Sequence, residues 1–193
     1  MTTILLARHG ETDWNRDYRF QGHADPPLNE SGRRQAAELA DVLADKRLAA
    51  VYSSPLRRAL ETAEILAAPH GLEPVKVEAL REVDVGSWQG LTRTELAERV
   101  PEQLARWLDG GQGWEDGETY EQMANRVLPA LLDLAAAHEG ERILAVTHGG
   151  PIRAALAFAD GTTYAEQRRR GPTIANVFLA EFAVESGRFR RLD

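Results

Sequence analysis

Short apolar runs alternate along this chain with longer segments in which apolar residues recur every three or four positions. Four of the short runs, TILLA, LAAVYS, PVKVEAL and RILAVT, have the length and composition of buried strands. Strands that alternate with helical segments are typical of βαβ units. The pattern therefore predicts an α/β fold with a mostly parallel sheet that is covered on both faces.

Three segments show helical spacing, and each carries a recognisable start signal. A helix is predicted from about Asn29 to Lys46, and a second is predicted with Ser54 as N-cap and Pro55 at its first position. A third begins with Thr119 and Gln122 in capping-box spacing. The residues predicted to face the core are Ala36, Leu39, Ala40 and Leu43, then Leu56, Leu60, Ala63 and Ala67, then Met123, Val127, Leu131 and Leu134.

Two further segments depart from this alternation. The last part of the chain, TIANVFLAEFAV followed by GRFRRL, predicts a hairpin at a sheet edge. Residues 83–117 are less regular and contain the glycine-rich sequence DGGQG together with Trp88, Trp107 and Trp114. We expect this segment, about 83–117, to form a lid.

Composition narrows the classes of protein to which this chain can belong. The length of 193 residues suits a single domain over 1–193, and the net charge of −7 argues against a nucleic-acid partner. The absence of cysteine excludes disulfides and thiolate chemistry. There is no basic leader pattern and no apolar run of ~20 residues, so we expect a cytoplasmic protein that does not enter a membrane. The oligomeric state is not fixed, and a homodimer stays open.

Two histidines follow predicted strands directly. His9 comes after the strand of LLARHGETDWN, beside Arg8, and His148 comes after the strand of ILAVTHGGPIR. In open α/β sheets, ligands bind beyond the carboxyl ends of the strands. Both histidines are therefore candidates for one site. His70 and His138 fall at helix C-termini and are interpreted as structural.

Other residues become candidates for the same site only because of these two histidines. His23 lies in a loop, and its role is open. Arg57 and Arg58 fall in the first turn of a predicted helix, where an anion is favoured, and Arg57 is interpreted as a solvated residue. Glu82 follows PVKVEAL, which would place it at a further strand end.

Five motifs occur together in one order: RHGETDWN, QGHADPPLNESGRRQA, SSPLRRALETA, LREVDVGSWQGL and THGG. The chain resembles the histidine phosphatase superfamily, the phosphoglycerate mutase-like proteins, along almost its whole length. The resemblance implies a three-layer α/β/α sandwich. It implies His9 as nucleophile, Glu82 as general acid and base, and His148 as a phosphate ligand. It further implies phosphate or substrate contacts from Arg8, Asn15, Gln21, Gly22, Arg58 and Gly149.

The resemblance implies phosphomonoester hydrolysis through a phosphohistidine, with no metal and no cofactor. We expect neutral His9 beside Arg8, and His148 protonated when phosphate is bound. The chain is most similar to the bacterial broad-specificity and α-ribazole-phosphate types. Mutases of the superfamily place an arginine after the glutamate, and its phosphoserine phosphatases place a histidine there, whereas this chain has Val83.

Two alternatives stay open beside hydrolysis: cofactor-dependent phosphoglycerate mutase activity, and a non-catalytic protein that binds a phosphorylated ligand. The substrate is expected to be a small phosphorylated metabolite. Acidic residues of the predicted lid, Asp109, Glu115, Asp116 and Glu118, suggest a leaving group without further negative charge. Two roles stay open for the tryptophans of the predicted lid: they pack in the core, or they flank an apolar leaving group.

Overall fold

A six-stranded sheet forms the centre of the computed structural model, which describes residues 1–171 and 173–192. In chain order the strands are β1 Thr2–Arg8, β2 Ala50–Ser53, β3 Val75–Lys76, β4 Arg142–Thr147, β5 Leu179–Glu185 and β6 Arg188–Arg191. They lie in the order β3-β2-β4-β1-β5-β6. The first four are parallel, and β5 and β6 are antiparallel to their neighbours.

Helices cover both faces of this sheet. They are α1 Asp13–Arg16, α2 Glu30–Leu43, α3 Arg57–Ala67, α4 Arg93–Arg99, α5 Pro101–Leu108, α6 Tyr120–Ala137, α7 Gly149–Ala159 and α8 Tyr164–Arg170. Alternate residues of β1 point to opposite sides, as a strand requires. Leu5 joins a core with α2 and α3, whereas Ile4 and Leu6 join a larger core with α6 and α7. The predicted three-layer α/β/α fold is confirmed.

Most predicted elements are present, and several boundaries are corrected. The helix predicted from Ser54 begins at Arg57 with Leu56 as N-cap; the Ser54 hydroxyl accepts from the N–H of Leu56 at 3.3 Å and also contacts the His148 side chain. PVKVEAL contains only a two-residue strand followed by a 3₁₀ turn over Glu78–Leu80. The predicted C-terminal hairpin is confirmed, although β5 pairs with β1, so that of the two hairpin strands β6 alone lies at the sheet edge.

Helix starts follow the local chemistry of the chain. Thr119 and Gln122 form the predicted capping box of α6, and Asn29 caps α2. His70 ends a 3₁₀ turn after α3, and His138 is the C-cap of α6, as predicted. Of the residues predicted to face the core, Leu39, Leu60 and Leu134 are only half-buried. None of the described helices combines the length and the apolar character that a membrane span requires.

Candidate active site

Strands β1 and β4 are parallel neighbours in register, with Arg8 opposite Thr147. The residues that follow them, His9 and His148, therefore emerge together at the carboxyl edge of the sheet. Their ring centroids are 5.2 Å apart, and both side chains are buried. Both histidines therefore lie at strand ends, as predicted from the sequence.

The imidazole of His9 is held in one tautomer. Its Nδ1 lies 2.7 Å from the carbonyl oxygen of Gly10. Because a carbonyl oxygen only accepts, Nδ1 carries the proton and Nε2 keeps its lone pair. Burial, followed by the charges of Arg8 and Arg58, lowers the pKa of His9 well below its ordinary value. His9 is thus neutral, with a nucleophilic nitrogen, as expected.

His148 is fixed through its other nitrogen. Its Nε2 lies 2.8 Å from Ser54 Oγ, and its buried Nδ1 has no partner among the described residues. Burial and then the charges of Arg58, His9 and Arg8 lower its pKa well below the usual range. Both imidazoles are therefore neutral. The protonated His148 expected beside a phosphate stays a prediction for the liganded site, where a dianion would raise its pKa.

Two buried guanidinium groups flank the histidines. Arg58 donates to the carbonyl oxygens of Ala24 at 2.7 Å and Gly22 at 2.8 Å, and burial lowers its pKa to about 10. Arg8 donates to the carbonyl oxygen of Ile174, and burial lowers its pKa also. The buried Nε atoms of both arginines lack a partner among the described residues. These fixed donors suit phosphate oxygens.

Arg57 lies outside this group, as predicted. Its side chain is 60% exposed and pairs with Glu61. Because consecutive residues of a helix point about 100° apart, only one of the two arginines can enter the site.

The Glu82 carboxylate approaches the histidines from a loop, not from a strand end, because β3 stops at Lys76. Its Oε1 accepts from the backbone N–H groups of Gly150 at 3.1 Å and Val83 at 2.9 Å. A Cβ on Gly150 would overlap this carboxylate oxygen. The glycine therefore allows the carboxylate to lie against the first turn of α7.

Arg126 holds the backbone of this loop. Its guanidinium donates to the carbonyl oxygens of Ala79, Arg81 and Glu82 at 2.7–2.8 Å, and it also binds the carboxylate of Glu118. The open question about His23 has a structural answer here, since its Nε2 lies 2.8 Å from the Glu82 carbonyl oxygen and donates to it. Both residues fix the position of the carboxylate without touching it.

The other predicted contacts are also brought together. Asn15, Gln21, Gly22 and Gly149 line the same pocket as His9. The Asn15 amide oxygen accepts from the N–H of Thr12, and the Gln21 amide oxygen accepts from the Thr12 hydroxyl. The amide NH₂ groups of Asn15 and Gln21 are then the groups that can donate to a ligand. Gly22 has a positive φ of 51°, and its carbonyl oxygen accepts from Arg58.

A pocket of about 470 Å³ joins these groups to the segment 83–117. Among the described residues that line it are six arginines and a single carboxylate, that of Glu82; the arginines are Arg8, Arg19, Arg58, Arg93, Arg153 and Arg168. The acidic residues named from the sequence do not line this pocket. Asp116 binds Ser87, Glu115 pairs with Arg106, Glu118 pairs with Arg126, and Asp109 is exposed. The predicted acidic lid surface is therefore wrong, because the directions of these side chains depend on their partners and not on their positions in the sequence.

The three tryptophans of this segment differ in role: some pack in the core and some form the wall of the pocket. Trp88 and Trp114 are buried in the core, at 1% and 2% exposure, and their rings contact each other. Trp107 is half-buried and lines the outer part of the pocket, where its Nε1 donates to the Tyr120 hydroxyl. Trp114 also lines the pocket but is 2% exposed, so among the three tryptophans Trp107 presents the larger surface to a leaving group. The segment 83–117 therefore forms one wall of the pocket, and its movement as a lid stays a prediction.

Several contributing residues were not found from the sequence. Asn176 donates to the His9 carbonyl oxygen, and Thr62 accepts from the N–H of Gly10. Both residues lie far from His9 along the chain: Asn176 is outside the five motifs, and Thr62 is inside SSPLRRALETA but nothing in that motif marked it as a contact of Gly10. Arg126 lay inside an ordinary helical pattern, where a half-buried arginine is not distinguishable from an exposed one.

Among the described residues, no group of three or more histidine, cysteine, aspartate or glutamate side chains could hold a metal ion. The arginines of the pocket would also repel a cation.

A neutral imidazole beside two buried guanidinium groups, with a carboxylate in the same pocket, is the arrangement of an α/β enzyme of phosphoryl transfer. The chain belongs to the histidine phosphatase superfamily (branch 1), whose family model matches residues 4–193. The fold and the family thus agree with the resemblance stated from the motifs.

Relatives and solved structures support phosphomonoester hydrolysis. The chain is 43% identical over 159 residues to a metal-independent phosphoserine phosphatase of Arabidopsis thaliana, covering 80% of this chain and 67% of that protein. It superimposes on Bacillus stearothermophilus YhfR with a TM-score of 0.93 at 34% identity, covering 100% and 96% of the chains. A mycobacterial glucosyl-3-phosphoglycerate phosphatase in complex with VO3 gives a TM-score of 0.88 at 30% identity, covering 99% and 97%.

Proposed function

We propose that this chain hydrolyses small phosphomonoesters through a phosphohistidine at His9, without a metal ion. The observation that carries the proposal is the tautomer of His9, which places its lone pair on Nε2 in a pocket with two buried arginines. A neutral imidazole attacks a phosphorus atom only when the charge of the phosphate oxygens is balanced. Arg8, Arg58 and the His148 ring supply that balance.

In the first step, the lone pair of His9 Nε2 forms a bond to phosphorus while the bond from phosphorus to the ester oxygen breaks. The electron pair of that bond goes to the ester oxygen, which takes a proton from the Glu82 carboxyl group. In the second step, Glu82 removes a proton from water. The water oxygen then bonds to phosphorus, the N–P bond breaks, and inorganic phosphate leaves with His9 neutral again.

Two features favour hydrolysis over the alternatives. Val83 follows Glu82 and lines the pocket, so this position offers no cation for a phosphoglycerate carboxylate of the mutase kind. A non-catalytic binder would need neither a nucleophilic nitrogen nor a proton donor, and the geometry retains both. The same site supports metal independence, since the buried Arg8 and Arg58 supply positive charge where a cation would otherwise be needed. The cytoplasmic location stays a prediction.

Release of inorganic phosphate from 4-nitrophenyl phosphate in excess EDTA tests the proposal. We expect turnover in EDTA, its loss in His9→Ala, and its retention in His70→Ala, which removes a histidine outside the pocket. Activity that EDTA abolishes and a divalent metal restores would contradict the metal-free mechanism. Turnover in His9→Ala equal to that of the wild type would contradict the role of His9. Phosphate exchange between phosphoglycerates without release would show the mutase reaction instead.

A further inference from the structure

The hydroxyl group of Ser54 is buried at the end of β2, in a residue with 0% exposure, so its hydrogen has to be donated within the protein. Its oxygen lies 2.8 Å from His148 Nε2 and accepts from the N–H of Leu56 at 3.3 Å. A hydroxyl group has a single hydrogen, and the described residues offer it no acceptor other than Nε2. Ser54 therefore donates to His148.

This hydrogen bond decides which nitrogen of the neutral His148 ring carries the proton. A neutral imidazole has one N–H and one lone pair. Because the lone pair of Nε2 accepts from Ser54, the proton is on Nδ1. In His9 the Nδ1 proton is donated to the Gly10 carbonyl oxygen, and the lone pair of Nε2 is left for a ligand. The two rings, 5.2 Å apart, thus offer opposite groups, a lone pair from His9 and an N–H from His148.

The Nδ1 atom of His148 is buried and has no hydrogen-bond partner among the described residues. A buried N–H without an acceptor costs about 1–3 kcal/mol, and folded proteins keep few such groups. The Nε atoms of Arg8 and Arg58, whose charges both act on His148, are buried and unpartnered among the same residues. A phosphoryl group has several acceptor oxygens and is suited to donors of this kind.

We propose that Ser54 is a positioning residue whose hydroxyl keeps the proton of neutral His148 on Nδ1, from which the ring donates to the phosphoryl group. The role rests on the proposed phosphatase function, because the phosphoryl group is the acceptor that Nδ1 lacks. Donation from Nδ1 needs no second proton on the ring, so His148 serves the phosphoryl group in its neutral state. The lowered pKa of His148, caused first by burial, agrees with this role.

Nitrogen-15 NMR of histidine-labelled protein tests the proposal directly, because a ring nitrogen that carries a proton and one that has a lone pair resonate at well separated frequencies. The His148 signals are assigned by their loss in His148→Gln. At neutral pH we expect wild-type His148 to carry its proton on Nδ1. In Ser54→Ala, the tautomer with the proton on Nε2 is expected to become populated, because no hydroxyl then donates to that nitrogen.

Binding and turnover connect the tautomer to the phosphoryl group, with inorganic phosphate as the ligand and 4-nitrophenyl phosphate as the substrate. Calorimetry is expected to show about tenfold weaker phosphate binding by Ser54→Ala, as the loss of one charge-assisted hydrogen bond allows. We expect kcat to fall about tenfold or more, since the donor stabilises charge on the transferring group. Ser54→Thr keeps the hydroxyl and is expected to restore the wild-type tautomer and part of kcat.

Ser53→Ala is the matched control. Ser53 is as deeply buried as Ser54, but its hydroxyl donates to the backbone carbonyl oxygen of Ser54 at 2.8 Å and not to a histidine. We expect this variant to keep the wild-type tautomer of His148 and to stay close to wild type in phosphate affinity and kcat.

A proton on Nε2 of neutral His148 in the wild-type protein would overturn the proposal, as would an unchanged tautomer or an unchanged phosphate affinity in Ser54→Ala. Equal losses in Ser53→Ala and Ser54→Ala would show that donation to His148 is not the reason for either. The ring and binding measurements need no turnover. The expected tautomers in a protein that binds phosphate but hydrolyses no phosphomonoester would support the role of Ser54 and contradict the proposed phosphatase function.

Discussion

Arg126 donates a hydrogen bond of 2.7 Å to the backbone carbonyl oxygen of Glu82. The two residues are 44 positions apart in the chain, yet the guanidinium fixes the loop that carries the carboxylate. It does so from α6, whose own position is set by burial of Met123, Val127 and Leu131 in the core. The placement of the Glu82 carboxylate, the proposed proton donor, thus depends on helix packing as well as on the loop that carries it.

Arg126→Gln is expected to lower both stability and activity. Loss of hydrogen bonds from a partly buried charged group costs about 2–3 kcal/mol, which corresponds to about 5–10 °C in melting temperature for a chain of this size. We expect kcat to fall about tenfold or more with little change in KM, because the phosphate contacts are separate. Calorimetry and steady-state kinetics measure the two effects.

Arg106→Gln is the control for Arg126→Gln, because its partner Glu115 is exposed. An exposed ion pair contributes about 0–1 kcal/mol, so we expect the melting temperature and kcat to stay close to wild type. Arg126→Lys keeps the charge and is expected to recover part of kcat. Equal effects of the Arg126 and Arg106 replacements would show that Arg126 does not position Glu82.

Gly150→Ala is expected to displace the Glu82 carboxylate. A Cβ at this position would overlap Oε1 of Glu82 and lie 2.9 Å from Met123 Sδ. Because a shift of about 1 Å in a reacting group costs on the order of 100-fold, we expect kcat to fall by about that factor. The neighbouring Gly149→Ala has its nearest atoms at 3.9–4.0 Å and is expected to lose much less. Similar losses in the two variants would contradict this reason for the glycine.

The buried neutral histidines predict how stability depends on pH. Burial lowers the pKa of His9 and of His148 well below 6.5 in the folded protein, whereas the unfolded chain binds protons at about 6.5. Unfolding at lower pH therefore takes up protons, and stability falls as pH falls through 6.5. Each histidine that stays neutral at pH 5.5 removes about 1.4 kcal/mol of stability between pH 7.5 and 5.5.

Urea unfolding at these two pH values measures the effect. In His9→Gln and in His148→Gln, we expect the loss of stability on acidification to be smaller than in wild type by about 1.4 kcal/mol each. The comparison uses the pH-dependent difference, so a constant change in stability from either replacement does not affect it. The same pH dependence in all three proteins would show that the folded histidines titrate normally.

Sequence patterns predicted the parts of this molecule that depend on local chemistry. Apolar runs located β1 and β4, and the residues after them, His9 and His148, therefore met at one edge of the sheet. The capping signals at Asn29 and Thr119 likewise depend on neighbouring residues.

Features that depend on distant contacts could not be predicted in this way. Ser54 looked like an N-cap, but its hydroxyl binds a histidine that is 94 positions away. The direction of the acidic side chains in 83–117 depends on partners such as Ser87 and Arg126, and so the charge of the pocket wall was misjudged. The roles of the site residues implied by the resemblance stay predictions, although the fold brings them together.

The most direct test of the account is to trap the phosphoenzyme. Protein mixed with excess 4-nitrophenyl phosphate in EDTA is quenched with alkali within the first turnover, digested, and its peptides analysed by mass spectrometry, because phosphohistidine survives alkali. The account predicts a phosphoryl group on His9 and none on the His9→Ala protein. A catalytically active protein that carries no phosphoryl group on His9 at any time in the first turnover would contradict it.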